Sequence, residues 1–262
     1  MTARPRGASA AGLLLLSAAC ASIPAARSAS GPPVAAWAIP PADLGTQRLF
    51  RMSYSGPRGE GSFRLTLRLL SAERYQAQAV DPVGRALWSL DADGERGLFL
   101  DHRAHAACDL PGELRIAGAP LERIALSALP RLLLGRAPAE PASPPSIQGG
   151  AIEFGGAPGE LWRVVEERGR PVRWTLLRAG VPAVWWRRKE AEAILSDRSG
   201  AQLRWREAVS EPLAAGLAPL ETPADYARGG CPALTLGSPG SPREPGSSHP
   251  RGPAFDSSAP RL

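Results

Sequence analysis

Strict alternation of apolar and polar residues is the feature that most limits the fold of this chain. Phe63, Leu65, Leu67 and Leu69 alternate with arginine and threonine. Successive side chains of a strand point to opposite faces, so this pattern predicts a strand with one buried and one exposed face. An apolar segment at 48–54 precedes it, separated by a turn sequence at 55–59. The two segments are predicted to be antiparallel neighbours.

Short apolar segments separated by turn sequences continue along most of the chain. The predicted strands are residues 48–54, 63–69, 75–80, 85–91, 96–101, 147–154, 161–167, 172–178, 181–188, 191–196 and 202–208. About eleven strands in this order predict a mainly β fold, in which one curved antiparallel sheet forms an open half-barrel.

The hydrophobic period changes to that of a helix between residues 121 and 134. Apolar residues recur there at spacings of three and four, Pro120 suits a helix start and Gly135 suits a helix end. Pro130 lies inside the run and is expected to kink or split it. We predict one helical excursion from the sheet, followed by a Pro-rich loop at 137–145.

The amino-terminal segment has the order of a bacterial lipoprotein signal peptide. Arg4 and Arg6 form a positive region, residues 12–16 are apolar, and the small residues 17–19 precede Cys20. This order predicts removal of residues 1–19 and lipidation of Cys20. The alternative is an ordinary secretory signal cut nearby. The apolar run is too short to span a bilayer.

Composition divides the rest of the chain into a tether, a domain and a tail. Residues 20–33 are small and rich in Pro and Ser, as expected for a spacer between a membrane and a domain. Residues 34–227 are long enough for one domain with its own core. Residues 228–262 are dominated by Pro, Gly and Ser, so we predict a disordered tail.

Positive charge alone does not indicate a nucleic-acid partner. The formal net charge of +6 falls to +4 once Arg4 and Arg6 leave with the signal peptide. Only residues 187–189 form a tight basic run, which a solvated strand end explains. The export signal also disfavours nucleic acid. Attraction of this charge to anionic lipid headgroups is the alternative.

Two cysteines remain once Cys20 is assigned to lipidation. In an oxidising envelope compartment Cys108 and Cys231 can pair, and a disulfide between them pins the start of the tail to the domain. The alternative is two free thiols, because the sequence does not give their separation.

The chemistry-bearing motifs do not indicate an enzyme or a cofactor. Asp101, His102, His105 and Cys108 form one cluster that resembles metal ligands, but no second paired motif accompanies it. The sequence lacks a Gly-x-Ser-x-Gly nucleophile elbow, a phosphate-binding Gly-rich loop and a His-Glu-x-x-His motif. We therefore expect no catalytic residue, no metal and no cofactor.

Two segments resemble the LolB family of outer-membrane lipoprotein receptors. Residues 74–90, with the turn sequence Asp-Pro-Val-Gly at 81–84, resemble the two strands that flank an Asn-Pro-Leu-Gly turn in that family. Residues 132–138 are similar to the stretch that ends the family's central helix. The order of elements fits over residues 46–210. The chain departs from the family in two residues of the turn and in its long Pro-rich tail.

The resemblance implies a half-barrel of eleven antiparallel strands with a small helical lid. Its apolar cavity is expected to accept the acyl chains of a lipoprotein from a soluble periplasmic carrier and to release them into the outer membrane. Burial of CH₂ groups, worth about 0.8 kcal/mol each, supplies the binding energy. The candidate cavity residues are Phe63, Leu65, Leu67, Leu69, Trp88, Trp162, Trp174 and Trp205. Core packing is the alternative role of the tryptophans.

Pro82, Val83 and Gly84 form the candidate membrane-insertion loop. Pro82 and Gly84 force a tight reversal that leaves Val83 projecting from the sheet, unless its side chain folds back onto the strand end. In the resembled family a leucine at the matching position sits on a protruding loop that is needed for delivery. The resemblance therefore assigns delivery to this loop.

The expected protein is a monomer anchored to the outer membrane and facing the periplasm. Ala21, next to the anchor, is not the aspartate that retains many lipoproteins in the inner membrane. The expected partners are acylated lipoproteins, their soluble periplasmic carrier and outer-membrane lipid. Two other classes stay open: a lipid- or protein-binding sensor on the same half-barrel that transfers nothing, and a metal-dependent or other hydrolase.

Lipidation of Cys20 can be tested directly. Cells fed labelled palmitate should label the wild-type protein and not the Cys20→Ala variant, because Cys20 alone follows the signal regions in the right order. Cys108→Ala, which removes a different thiol, should keep the label. Label that persists in Cys20→Ala would contradict the assignment of the anchor.

Overall fold

A computed structural model describes residues 36–214, 216–231 and 234–235 of the 262-residue chain. The predicted signal peptide, Cys20 and the tether through residue 33 lie outside these residues. The described part contains a 3-10 helix at Pro41–Asp43 and one α-helix, α1, at Ala128–Leu133. Its strands are β1 (Thr46–Gly56), β2 (Gly59–Leu69), β3 (Arg74–Val80), β4 (Ala86–Asp93), β5 (Arg96–Asp101), β6 (Ala106–Pro111), β7 (Glu113–Ala117), β8 (Arg123–Ala125), β9 (Ser146–Gln148), β10 (Ala151–Gly155), β11 (Glu160–Glu167), β12 (Arg170–Arg178), β13 (Val181–Lys189), β14 (Glu192–Asp197), β15 (Gln202–Pro212), β16 (Ala227–Arg228) and β17 (Leu234–Thr235).

Fourteen of these strands form one curved sheet that does not close. Their order is β16-β6-β5-β4-β3-β2-β1-β15-β14-β13-β12-β11-β10-β9. Neighbouring strands are antiparallel, except that β16 runs parallel to β6. The central strands β1, β2 and β15 have 11 residues each. A small second sheet contains β17, β7 and β8.

The mainly β class and the open, curved antiparallel sheet are confirmed, but the predicted number of strands is too low. Three strands, β6, β7 and β8, occupy residues 106–125, where none was predicted. The predicted strand 147–154 is two strands, because Gly149 and Gly150 both have positive φ and reverse the chain between them. β7, β8 and β9 have only three to five residues, which carry too few alternations to be recognised by their period.

The predicted helix at 121–134 is shorter than expected, and its first part is a strand. β8 pairs with β7, and α1 follows only at Ala128–Leu133. The reason is Pro130, which has no N–H to donate to the carbonyl of Leu126 and is tolerated only in the first turn of a helix. The buried Tyr75 hydroxyl donates to that carbonyl instead (2.8 Å). No helix in the described part of the chain is long and apolar enough to cross a bilayer.

Residues 112–137, with β7, β8 and α1, cover the apolar face of the sheet, and we call this segment the plug. The Trp205 indole N–H of β15 donates to the Leu133 carbonyl of α1 (2.9 Å). Most of the contact is apolar packing, at about 1.5–3 kcal/mol for each large side chain that is fully buried. The buried apolar residues of the plug are Leu114, Ile116, Ala119, Leu121, Ile124, Leu126, Ala128, Leu129, Leu132, Leu133 and Ala137. The plug occupies the place of the predicted lid, with one short helix.

The chain after β15 crosses the outer face of the sheet and is fastened there. The Leu220 N–H donates to Asp91 Oδ2 (2.9 Å), and β16 pairs with β6. Just beyond β16, a disulfide joins Cys231 to Cys108 of β6. The described domain therefore extends past residue 227, after which the disordered tail was predicted to begin, while residues 236–262 of that tail lie outside the described chain.

Reduction of the Cys108–Cys231 disulfide should lower the free energy of unfolding by about 2–4 kcal/mol, because the bond restricts the unfolded chain. Urea unfolding of the wild type with and without reductant measures the change. The matched control is the double variant Cys108→Ser and Cys231→Ser, whose unfolding should not respond to reductant. Equal unfolding curves for the wild type in both conditions would contradict a stabilising bond.

Candidate functional site

The turn between β3 and β4 presents the most exposed large apolar side chain of the described residues, Val83, which is 77% exposed. Buried Asp81 accepts hydrogen bonds through Oδ1 from the N–H groups of Val83 (3.0 Å) and Arg85 (2.9 Å). Gly84 closes the turn with a φ of +92°, which residues with a side chain rarely adopt. Local hydrogen bonds thus fix the turn in a form that projects Val83 into solvent.

Arg85 keeps the Asp81 carboxylate charged. Burial alone raises the pKa of Asp81, but the backbone N–H, the guanidinium and the positive charge of Arg85, together with the Val83 N–H, lower it by more. The net result is a pKa below the ordinary range of aspartate. The guanidinium Nε lies 2.6 Å from Asp81 Oδ2. The turn therefore keeps its charge-assisted hydrogen bonds throughout the neutral pH range.

The predicted cavity residues all lie on the apolar face of the sheet, and all are buried. The plug packs into the same core cluster. Core residues in this set are Phe63, Leu65, Leu67, Leu69, Trp88 and Trp174. Trp162 and Trp205 belong to the core as well, and each also borders a cavity. The structure thus brings the predicted wall together, and the plug covers it.

An aromatic row crosses four neighbouring strands of this wall. The rings of Phe154, Trp162, Trp174 and Trp186 follow one another with centroid separations of 6.5, 5.3 and 6.0 Å. The three indole N–H groups are buried and have no acceptor among the described residues. A buried donor without a partner costs about 1–3 kcal/mol. A molecule that brings an acceptor to this row would therefore gain stabilisation.

A cavity of about 300 Å³ lies between the plug and the aromatic row. Its apolar lining includes Leu121 and Ile124 of the plug and Trp162 and Leu176 of the sheet. This volume is at the lower end of the range of small-molecule sites. The cavity therefore borders both the plug and one of the unpaired indole donors.

A second cavity, of about 600 Å³, lies at the end of the sheet where β1 begins, and we call it the arginine cleft. Five arginines line it: Arg48, Arg136, Arg168, Arg170 and Arg188. This site as a whole has no signature in the sequence, because its arginines come from distant segments that the topology brings together. The basic run at 187–189 was the one signal in the sequence that touched it.

The residues that resemble metal ligands in the sequence instead help to hold the C-terminal segment. His102 lies between the Ser89 hydroxyl (Nε2···Oγ 2.8 Å) and the Tyr226 hydroxyl (Nδ1···O 2.6 Å). His105 Nδ1 lies 3.1 Å from Asp225 Oδ2. In the described ranges no three His, Cys, Asp or Glu side chains are grouped so as to hold a metal ion.

No protein-family model matches the chain, and no curated protein matches its sequence. A LolA superfamily protein from Nitrosomonas europaea is similar in structure, with 12% identity, a TM-score of 0.47, and coverage of 72% of this chain and 92% of that chain. A putative outer membrane lipoprotein-sorting protein domain from Vibrio parahaemolyticus is also similar, with 7% identity, a TM-score of 0.38, and coverage of 66% and 86%. A DUF1329 family protein from Desulfovibrio piger has 8% identity, a TM-score of 0.43, and coverage of 66% and 87%.

The environment of His102 predicts that the domain becomes less stable as the pH falls. Burial, with a smaller contribution from His105, lowers the pKa of His102 and outweighs the opposing effect of Asp101. The unfolded chain therefore binds a proton that the folded chain does not, so stability is lost as the pH falls below about 6.5. Urea unfolding between pH 7 and pH 5 measures this dependence.

The His102→Gln variant should show a weaker decline of stability between pH 7 and pH 5 than the wild type. His105→Gln, which removes an exposed histidine of the same segment, is the matched control and should keep most of the wild-type decline. An unchanged decline in His102→Gln would assign the pH dependence to other groups.

Proposed function

We propose that this chain is a lipoprotein of the outer membrane that binds the acyl chains of other lipoproteins on the apolar face of its sheet and delivers them to the membrane. The supporting observation is the fixed, protruding Val83 turn beside an apolar interior closed by a plug. The proposed partners are acylated lipoproteins, a soluble periplasmic carrier and outer-membrane lipid. We propose that the protein acts as a monomer and has no catalytic residues.

The Val83 turn suits insertion into a bilayer. An exposed aliphatic side chain gains nothing from water, and transfer of each CH₂ group to an apolar phase contributes about 0.8 kcal/mol. The Asp81 hydrogen bonds hold the turn before any membrane is present, so insertion does not require the loop to be ordered first. The side chain of Arg85 is 81% exposed and can meet lipid phosphates when Val83 enters the apolar layer.

The plug and an acyl chain would compete for the same surface. Apolar packing provides most of the plug's attachment, and an acyl chain can replace such contacts at similar free energy per buried CH₂ group. Side-chain hydrogen bonds from the sheet to plug carbonyls are few, with one each from Tyr54, Tyr75 and Trp205. Displacement of the plug therefore exchanges one apolar partner for another. Ester carbonyls of the cargo would also bring acceptors to the unpaired indole donors.

Substitution of Val83 tests delivery separately from acceptance. Val83→Glu should fold and receive acyl cargo from a loaded carrier but fail to incorporate it into outer-membrane vesicles, because a carboxylate opposes insertion. Val83→Leu should deliver at least as well as the wild type, since it adds one methylene worth about 0.8 kcal/mol of transfer free energy. Co-purified cargo measures acceptance, and vesicle-bound cargo measures delivery.

The matched control is Ile147→Glu, which places the same charge on another exposed aliphatic residue, 64% exposed on β9. This variant should accept and deliver cargo normally. Normal delivery by Val83→Glu would reduce the loop to a simple turn and contradict the assigned role.

A sensor that binds envelope lipid or protein without transfer is the second candidate. The plug that fills the apolar interior favours it, because a closed interior does not by itself exchange cargo. The wild-type protein distinguishes the two candidates: cargo taken from a loaded carrier supports transfer, and binding of cargo without release to vesicles supports the sensor.

A further inference from the structure

The arginine cleft gathers positive charge from separate parts of the chain. Arg48 lies on β1, Arg136 follows α1, Arg168 and Arg170 lie in the β11–β12 hairpin, and Arg188 lies near the end of β13. Arginine forks bind phosphate with paired, charge-assisted hydrogen bonds. The grouping of five such side chains around one cavity of about 600 Å³ therefore indicates an anionic ligand.

Carboxylates of the cleft neutralise only part of this charge. Three carboxylates line the cleft: Asp43, Glu190 and Glu207. Two of them serve a single arginine, because Arg48 pairs with both Asp43 (2.6 Å) and Glu207 (2.8 Å). Within the described residues, Arg168 and Arg170 have no carboxylate oxygen within 4.0 Å of their guanidinium nitrogens. Two exposed guanidinium groups thus face the cavity with their donors available.

The remaining charges also repel one another. Burial, with added repulsion from Arg170, lowers the pKa of Arg188, and attraction to Glu207 opposes this only in part. Burial and the charges of Arg188 and Arg170 lower the pKa of Arg136 in the same way, against the attraction of Asp43 and Glu166. An anion among these groups would relieve the repulsion and gain charge-assisted hydrogen bonds.

Partly buried apolar residues also line the cleft, which favours an amphiphile over a simple ion. Pro40 and Leu134 are the accessible ones, whereas the lining residues Phe50, Leu133 and Trp205 are buried and expose little surface. A free phosphate ion has no apolar part to place there. A phosphodiester that carries acyl chains presents both an anion and a hydrocarbon surface to the two parts of the cleft.

The position of the cleft also favours a membrane source for the ligand. Pro40, Ala42 and Asp43, just after the first described residue, form part of its lining. The 16 residue steps from Cys20 to Ala36 span at most about 55 Å when extended. Lipidation of Cys20 would therefore keep the cleft within reach of a bilayer surface.

We propose that the arginine cleft binds the phosphate of an anionic phospholipid headgroup, with the glycerol and first acyl carbons toward Pro40 and Leu134. Arg168, Arg170 and Arg188 contact the phosphate oxygens. This site lies where β1 begins, whereas the Val83 turn lies toward the end of the sheet where β2 begins. Binding of a headgroup at this site does not require lipoprotein transfer.

Titration calorimetry of the full chain carrying Cys20→Ala tests the site without its own anchor. The probes are dihexanoyl phosphatidylglycerol, dihexanoyl phosphatidylcholine and sodium phosphate, each below any micelle concentration. Phosphatidylglycerol should bind most tightly. Arg168→Asn with Arg170→Gln should weaken that binding about tenfold or more, because each lost charge-assisted hydrogen bond contributes well over the free energy of a tenfold change. Asn suits position 168, where φ is +52°.

The matched control is Arg173→Gln with Arg187→Gln, a cross-strand pair of exposed arginines on the outer face of β12 and β13. This control removes the same charge from the outer face of the sheet. It should leave the affinity for phosphatidylglycerol within about twofold of the original, because substitutions at separate sites usually act independently. Equal weakening in both double variants would mean diffuse attraction and would overturn the proposal. Sodium phosphate binding as tightly as phosphatidylglycerol would overturn the lipid assignment, and no binding of any probe would overturn the site.

The outcome is separable from that of the transfer proposal. Val83→Glu should bind phosphatidylglycerol like the wild type, because the turn does not line the cleft. Failure of transfer with intact phosphatidylglycerol binding would leave the cleft established, and loss of phosphatidylglycerol binding with intact transfer would remove the cleft alone.

Discussion

The packing of the plug against the apolar face of the sheet is the contact on which the rest of the domain depends. A sheet with one apolar face must bury it against another layer. Here that layer is not a second sheet or a long helix but a short segment with two small strands and one helix of six residues. Pro130 limits the length of the helix. Since Pro130 has no N–H to donate to the Leu126 carbonyl, the Tyr75 hydroxyl donates to that carbonyl.

This arrangement relates stability to function. The side chains that hold the plug are the same side chains that could hold hydrocarbon, so the closed domain and a loaded domain would use one surface. Apolar packing is non-directional, and its free energy depends mainly on the area removed from water. The buried indole donors differ, because they lack acceptors in the described closed form. In the closed form the apolar side chains are therefore buried, but these indole N–H groups lack hydrogen-bond acceptors.

The two ends of the sheet carry different chemistry. The Val83 turn is small, aliphatic and fixed by one buried aspartate, which suits contact with the apolar layer of a membrane. The arginine cleft combines five arginines with a smaller apolar part of its lining, which suits an anionic headgroup and its glycerol. Both features suit contact with lipid. The Val83 turn lies apart from the plug, whereas Leu133 and Arg136 of the plug help to line the cleft.

The sequence predicted the parts of the fold that depend on local pattern. The alternation at 63–69 correctly predicts which face of β2 is buried, because burial of every second residue leaves a clear period. The short strands β7 and β8 were missed, since three to five residues carry too little pattern, and a helix was predicted where Pro130 allows only one turn or so. The arginine cleft could not be predicted, because Arg48, Arg136 and Arg168 meet only through long-range strand pairing.

Hydrogen–deuterium exchange of the plug amides, measured with and without acylated lipoprotein cargo, tests the central claim most directly. If acyl chains replace the plug on the sheet, the amides of residues 112–137 should exchange faster in the loaded protein, while those of β1 and β2 should stay protected. Leu126 N–H, which donates to the Gly112 carbonyl in the closed form, is a suitable single reporter. Unchanged protection of the plug in a protein shown to carry cargo would mean that the cargo lies elsewhere, and would contradict the account.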